Sequence, residues 1–317
     1  MSAPQRQRGI ALLIALLTVA LATILIAGLL DRGELAFART RNALRAEQAQ
    51  AYAQGLEAYA AQVLLKDLGD DPGIDTNADI WAAPLPPQQV PGGVITASMQ
   101  DLNGCFNLNN LAGDAGGTWF AMFGRLLEAR GLDPTIATAV RDWLGTGDGS
   151  DVVDGYYLAQ PVPYRSAQRA FVHVSELRLV RGVTRDAYAR LAPYVCALPP
   201  GTKINVNTAS VPVLQTLGPI SQAQAESLWQ NGQAHFGDVR EFRQQCAQQL
   251  IEIDVPDAVL ATSSGYFLAR ADIRLDGIPF TFYSLIDREH GLQVVERSRG
   301  GDAVMAPGVL SVETGSR

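Results

Sequence analysis

From Ile10 to Leu30 the chain runs 21 residues without a charge, almost all Leu, Ile, Ala and Val. At about 1.5 Å per residue that is roughly 31 Å of helix, enough to cross a bilayer core of about 30 Å. Met1 to Gly9 carries Arg6 and Arg8 and no acid, and Asp31, Arg32 and Glu34 follow the run. The positive-inside rule therefore keeps the N-terminus cytoplasmic and sends residues 31–317 across the membrane. Ala27-Gly28 also offers a small-residue cleavage site, at which an ordinary secretory signal would be lost.

The helix does not stop at the membrane. After Gly33 the sequence is rich in Ala, Glu, Gln, Leu and Arg and free of Pro, so one helix is expected from Ile10 to about Leu65. Tyr52, Leu56, Tyr59 and Val63 recur at steps of four, three and four, an amphipathic stripe available to the protein's own head or to partner helices. Gly69 to Gly73 and Pro84-Leu85-Pro86-Pro87 then read as turns and loop. Gly93 to Leu102 reads as a strand. Near the other end, Tyr266–Leu275 and Ile278–Ile286 are joined by Asp276-Gly277, a strong hairpin signal, and Leu292–Val295 extends the meander. Between these β-rich parts, Gly113 to Glu252 reads as short helices, several ending in Gly.

The expected fold class is α+β: a long N-terminal helix and a small antiparallel sheet, with a large all-α domain inserted into the sheet region. The segments are a leader (1–9), a transmembrane helix (10–30), a stem and first part of the head (31–112), the helical insertion (113–252), returning strands (253–298) and a loose tail (299–317).

Composition excludes several functions. Twenty-five Lys+Arg against 32 Asp+Glu give a net charge of −7, the wrong sign for a chain that coats nucleic acid. Three Cys without a C-x-x-C pair exclude a zinc ribbon, and three scattered His disfavour a His-rich metal site. There is no G-x-S-x-G, H-E-x-x-H, P-loop or G-x-G-x-x-G, so no catalytic residues are expected. In an oxidising compartment two of Cys105, Cys196 and Cys246 can pair, and the sequence does not choose which.

The insertion carries an internal repeat. Phe171-x-x-Val174-x-Glu176-Leu177-Arg178 matches Phe236-x-x-Val239-x-Glu241-Phe242-Arg243, so two related helical units are expected. Ile204 to Ser210, followed by Leu217-Gly218-Pro219-Ile220-Ser221, looks like a helix-hairpin-helix unit. A membrane-anchored DNA-binding or DNA-uptake protein is the rival reading. Pro219 has no N–H to offer a phosphate, and the acidic balance opposes it, which favours scaffold use.

Arg6-Gln7-Arg8-Gly9 directly before Ile10 resembles the prepilin leader of type IV pilins and type II secretion pseudopilins. The longer resemblance, to the minor pseudopilin K family of type II secretion systems, rests on several motifs. They include Asn103-Gly104-Cys105-Phe106-Asn107-Leu108-Asn109-Asn110-Leu111, Arg141-Asp142-Trp143, Val174 to Val180 and Lys203 to Ala209. The resemblance implies cleavage between Gly9 and Ile10 by a prepilin peptidase and retention of the apolar helix. It also implies a non-enzymatic role at the tip of a periplasmic pseudopilus during protein export. The implied partners are minor pseudopilins I and J, the inner membrane and its assembly platform, with no nucleic acid. Most pilins and pseudopilins carry Glu at the fifth mature position; here that position is Ile14, as suits a subunit that never docks beneath another.

The acids Asp142, Asp148, Asp151 and Asp154 cluster in a Gly-rich stretch that can wrap a hard cation. The resemblance implies calcium in the insertion, although Gly145-Thr146-Gly147 and Val153 depart from the family pattern. The alternative is a solvated acidic loop.

Overall fold

The computed structural model describes residues 5–114, 116–146 and 150–300, with the side chains of 5–9 and 150–153 outside the description. The chain divides into two compact units, Met1–Tyr52 and Ala53–Arg317. Helix α1 spans Gln5–Asp70, beginning before Ile10 and running past Leu65. It ends where Pro72 has no N–H to donate and Gly73 adopts a φ of +96°. In the first unit the large apolar side chains from Ile10 to Leu30 are all exposed, and this part of α1 is long and apolar enough to cross a membrane.

The second unit is built on a five-stranded antiparallel sheet. Its strands are β1 (Leu85–Val90), β2 (Gly93–Asp101), β7 (Tyr266–Leu275), β8 (Ile278–Asp287) and β9 (Gln293–Arg299), in the order β1-β2-β7-β8-β9. Asp276 and Gly277 both take positive φ, +48° and +82°, and set the hairpin register at Leu275↔Ile278. The Pro86-Pro87 segment, expected as loop, is instead part of β1. It is an edge strand, where a residue without an N–H is tolerated, and its register shifts between Leu85 and Gln88. Arg299, expected in the tail, is the last residue of β9 and pairs with Phe282 of β8, and residues 301–317 lie outside the described residues.

The α1 segment of this unit covers one face of the sheet. Ala60 and Leu64 pack with Trp81, Met99, Phe267 and Ile286. Small alanines allow the helix backbone to approach the strands closely.

The insertion occupies everything between β2 and β7. Leu102 N donates to Tyr266 O at 2.9 Å, so its two ends leave the sheet side by side. The expected limits, Gly113 and Glu252, are therefore too narrow. Phe106, Leu108 and Leu111 before them, and Val255, Val259 and Leu260 after them, are buried in the helical core. Its strands are β3 (Phe106–Asn107), β4 (Val195–Cys196), β5 (Ile204–Asn205) and β6 (Leu260–Ala261). Its helices are α2 (Thr118–Ala129), α3 (Thr135–Leu144), α4 (Ser150–Leu158), α5 (Arg185–Leu191), α6 (Val211–Leu214), α7 (Gln222–Trp229) and α8 (Val239–Gln248). The acidic stretch is thus partly helical, since Asp142 lies in α3 and Asp154 in α4.

The internal repeat is structural. β3 pairs parallel with β4, and β5 parallel with β6. In the first repeat Asn109 clamps the backbone of Phe171, accepting from its N–H at 2.7 Å and donating to its carbonyl at 3.0 Å. In the second, Asn207 does the same to Phe236 at 2.7 and 3.1 Å. Glu176 accepts from Val172 N and Glu241 from Gly237 N, each at 2.7 Å, so both short helices after the Phe begin on a reaching carboxylate.

Candidate functional site

The expected partner-helix stripe is rotated from the buried one. Ala53, Ala60, Leu64 and Asp67 are the buried positions of α1 in the second unit, whereas Tyr59 is 53% exposed and Leu56 and Val63 are half-buried. The buried face combines Ala53, Ala60 and Leu64, and Leu56, Tyr59 and Val63 flank it. Leu56, Tyr59 and Val63 line an open groove with Trp81, Pro86 and Met99. Tyr52, in the first unit, accepts a hydrogen bond from Gln48 at 3.3 Å.

Gly9 and Ile10 both lie inside α1, and Ile10 and Ile14 are 63% and 55% exposed.

Of the four acids expected to hold calcium, Asp148 and the Asp151 side chain fall outside the described residues. Asp142 pairs with Arg181 at 3.3 Å. Asp154 accepts from Ser166 N and Oγ and from Arg165, and the Ser166 bonds hold its carboxyl below the usual range. In the described part of the run, Asp142 and Asp154 therefore each have protein partners.

A different group of acids, missed in the sequence, converges below the sheet. Asp67 in the last turns of α1 meets Asp75 and Asp79 from the following loop, each bringing a carboxylate oxygen within 4.8 Å of the others. Burial pushes the Asp67 carboxyl up to about 7, with repulsion from Asp79 and Asp75 adding to it and Arg288 opposing it. Arg288 is only 8% exposed and binds Asp75 Oδ2. The available signal was Asp75-x-Asn77-x-Asp79, a ligand spacing found in calcium loops. Nearby, Asp101 ends β2 fully buried and accepts from Asn103 N at 2.7 Å, Ser264 Oγ at 2.6 Å, Asn205 Nδ2 at 3.3 Å and Thr208 Oγ1. Burial pushes its carboxyl up to about 6, against the pull of Ser264, Thr208 and Asn103.

The structure pairs Cys105 with Cys196 across the β3–β4 ladder, Cα atoms 6.0 Å apart. Cys246 is buried and free, and burial pushes its thiol up to about 11. The helix-hairpin-helix element is used internally. A Cβ on Gly218 would sit 2.2 Å from the Glu252 carbonyl, and Leu217 O accepts from Asp254 N at 3.0 Å. A carbonyl oxygen thus lies against the glycine, where a phosphate-binding hairpin needs bare N–H groups.

Residues 104–200 and residues 204–263 each match a family model described as type II secretion system (T2SS), protein K. The break between the two matches falls between the two Asn-clamped units. Type II secretion system protein K of Pectobacterium carotovorum subsp. carotovorum is 33% identical, over 95% of this chain and 99% of its own. The protein of the same description from Pseudomonas aeruginosa is 32% identical, over 95% of each. A chain in the crystal structure of the GspK-GspI-GspJ complex from the enterotoxigenic Escherichia coli Type 2 Secretion System superposes with a TM-score of 0.72 and 27% identity. It covers 83% of this chain and 99% of that one. With relatives matched along nearly its whole length, this chain belongs to the type II secretion system protein K family.

Proposed function

We propose that this chain is a minor pseudopilin that starts or caps the periplasmic pseudopilus of a type II secretion system, working with the minor pseudopilins I and J of that system. The observation that carries the reading is the likeness to 99% of a chain from the GspK-GspI-GspJ complex. The role is mechanical. The apolar run holds the protein in the inner membrane with its N-terminus in the cytoplasm, a prepilin peptidase cuts after Gly9, and the assembly platform receives the subunit. Ile14 suits the tip, because a carboxylate within an apolar helix is costly unless a partner meets it, and the first subunit has none ahead of it.

The groove lined by Leu56, Tyr59 and Val63 takes apolar side chains from a neighbouring pseudopilin. Burial at about 25 cal/mol per Å² is the term that offsets the cost of association.

The test uses the full-length protein extracted in detergent. N-terminal sequencing should begin at Ile10, and a start at Met1 or near Leu29 contradicts processing after Gly9. Tyr59→Glu should abolish co-purification with the I and J proteins while leaving the melting temperature of the isolated chain unchanged, since Tyr59 is half-exposed. Undiminished co-purification would remove the groove from the interface.

A further inference from the structure

The C-terminal end of α1 gathers negative charge where the peptide dipoles already supply it. Asp67 lies in the helix, Asp75 and Asp79 in the loop beyond, and their carboxylate oxygens lie within 4.8 Å of one another. Asp75 is 1% exposed and Asp67 7%. The cation built against them is Arg288, bonded to Asp75 Oδ2 and 3.6 Å from Asp67 Oδ2. With all three carboxylates ionised, three negative charges face one positive, two of them on buried side chains.

A second observation concerns individual atoms. Asp75 Oδ1 is buried and accepts no hydrogen bond, and Asp67 Oδ2, equally buried, has only the long 3.6 Å contact to Arg288, although buried carboxylate oxygens are almost always satisfied. Asp79 is instead held in position, accepting from Thr76 N at 2.7 Å, Thr76 Oγ1 at 2.8 Å and Trp81 Nε1 at 3.3 Å. The cluster thus has one fixed carboxylate and two, those of Asp67 and Asp75, with an oxygen that lacks a hydrogen bond.

The geometry points to a binding site for one hard divalent cation, Ca²⁺, held by the carboxylates of Asp67, Asp75 and Asp79. The donors are all oxygen, which selects the calcium, magnesium and manganese class over zinc or copper. A double positive charge offsets that excess, and the two oxygens without a hydrogen bond gain a ligand. Asp75-x-Asn77-x-Asp79 also has the spacing of the first three ligand positions of a calcium loop, with Ile80 where such loops have Gly. Calcium is favoured over magnesium because carboxylates on a helix end and an irregular loop suit its flexible shell better than a strict octahedron.

The site would also hold separate parts of the head together. Asp75 N donates to Thr262 O at 2.8 Å, its carbonyl accepts from Asn205 Nδ2 at 3.0 Å, and its Oδ2 accepts from Ser264 N at 2.7 Å. A cation on Asp75 therefore ties the end of α1 to the insertion and to the segment leading into β7.

The test is a melt of the full-length protein in detergent, stripped with EDTA and then given Ca²⁺ or Mg²⁺. Saturating Ca²⁺ should raise the melting temperature by about 5 °C or more, and Mg²⁺ by less. Asp67→Asn should raise the melting temperature in EDTA, by removing repulsion, and abolish the Ca²⁺ shift; a purely structural Asp67 would lower it under both conditions. Tb³⁺, added as a calcium probe, should emit on tryptophan excitation, since Trp81 Nε1 lies 3.3 Å from Asp79 Oδ2, and Asp67→Asn should abolish that emission. A melt insensitive to millimolar Ca²⁺ overturns the site, and points to a proton shared between Asp67 and Asp75. A shift that survives Asp67→Asn and Asp79→Asn but is lost in Asp148→Asn/Asp151→Asn also overturns it.

Discussion

Glu57 and Arg297, 240 residues apart, meet in a bidentate ion pair, with Nε and a terminal nitrogen each 2.8 Å from separate carboxylate oxygens. Ser284 Oγ adds a third bond at 2.6 Å. The contact fastens edge strand β9 to the helix covering the sheet. Burial alone would raise the Glu57 pKa, but the Arg297 and Ser284 bonds outweigh it and hold the carboxyl below its usual range. The native state therefore binds this proton more weakly than the unfolded chain. The stabilisation is present above the ordinary Glu pKa and is lost as pH falls through the lowered one. Arg297→Ala should cost about 1 kcal/mol at pH 7 and shift the acid-unfolding midpoint to higher pH, read by circular dichroism between pH 7 and 2.

Asp101 carries the opposite dependence. With its pKa pushed up to about 6, the native state holds the proton more tightly than the unfolded chain. Its contribution is full below the ordinary Asp range and disappears as pH rises through 6. Urea unfolding in EDTA should show a loss of up to about 3 kcal/mol between pH 4 and 7 from this group. Asp101→Asn should flatten that slope.

The Cys105–Cys196 bond closes a loop with a sequence separation of 91. Replacing both cysteines with serine should lower stability by about 3–5 kcal/mol. Thiol titration checks the assignment. The native protein should react very slowly at its buried Cys246, the unfolded unreduced protein at one thiol, and the reduced unfolded protein at all three cysteines.

Asn109→Ala and Asn207→Ala should be comparably destabilising, each by about 3 kcal/mol, because each strands a buried Phe N–H and its carbonyl. Denaturant titrations of both variants and of the pair test this. Near-additive losses are expected, since the two clamps share no partner.

Legibility in the sequence followed the range of the forces involved. The apolar run and the Pro-free stretch made α1 readable, and Asp276-Gly277 made the hairpin readable, because those preferences act within a few residues. The repeat was visible as Phe171 to Arg178 against Phe236 to Arg243, yet the asparagines that hold it were visible only as motif letters. Asn109 works on Phe171, 62 positions away. The offset between Tyr59 and the buried Ala60 arose because close helix–sheet approach rewards small residues that a hydrophobic pattern ranks low. Pro86 and Pro87 signalled loop because an edge strand is defined by its missing neighbour. The acid cluster was hidden because Asp75 acquires Arg288 across 213 positions.

The adjacency of Leu102 and Tyr266 has a consequence for how such a protein can arise. A segment whose two ends meet at one rung of a ladder can be spliced into a gene at a single turn, leaving every strand pairing as it was. Inside that segment the Asn-clamped motif occurs twice in tandem, the footprint of copying followed by divergence. A head enlarged or replaced at that turn would leave the hairpin beneath it in the same register.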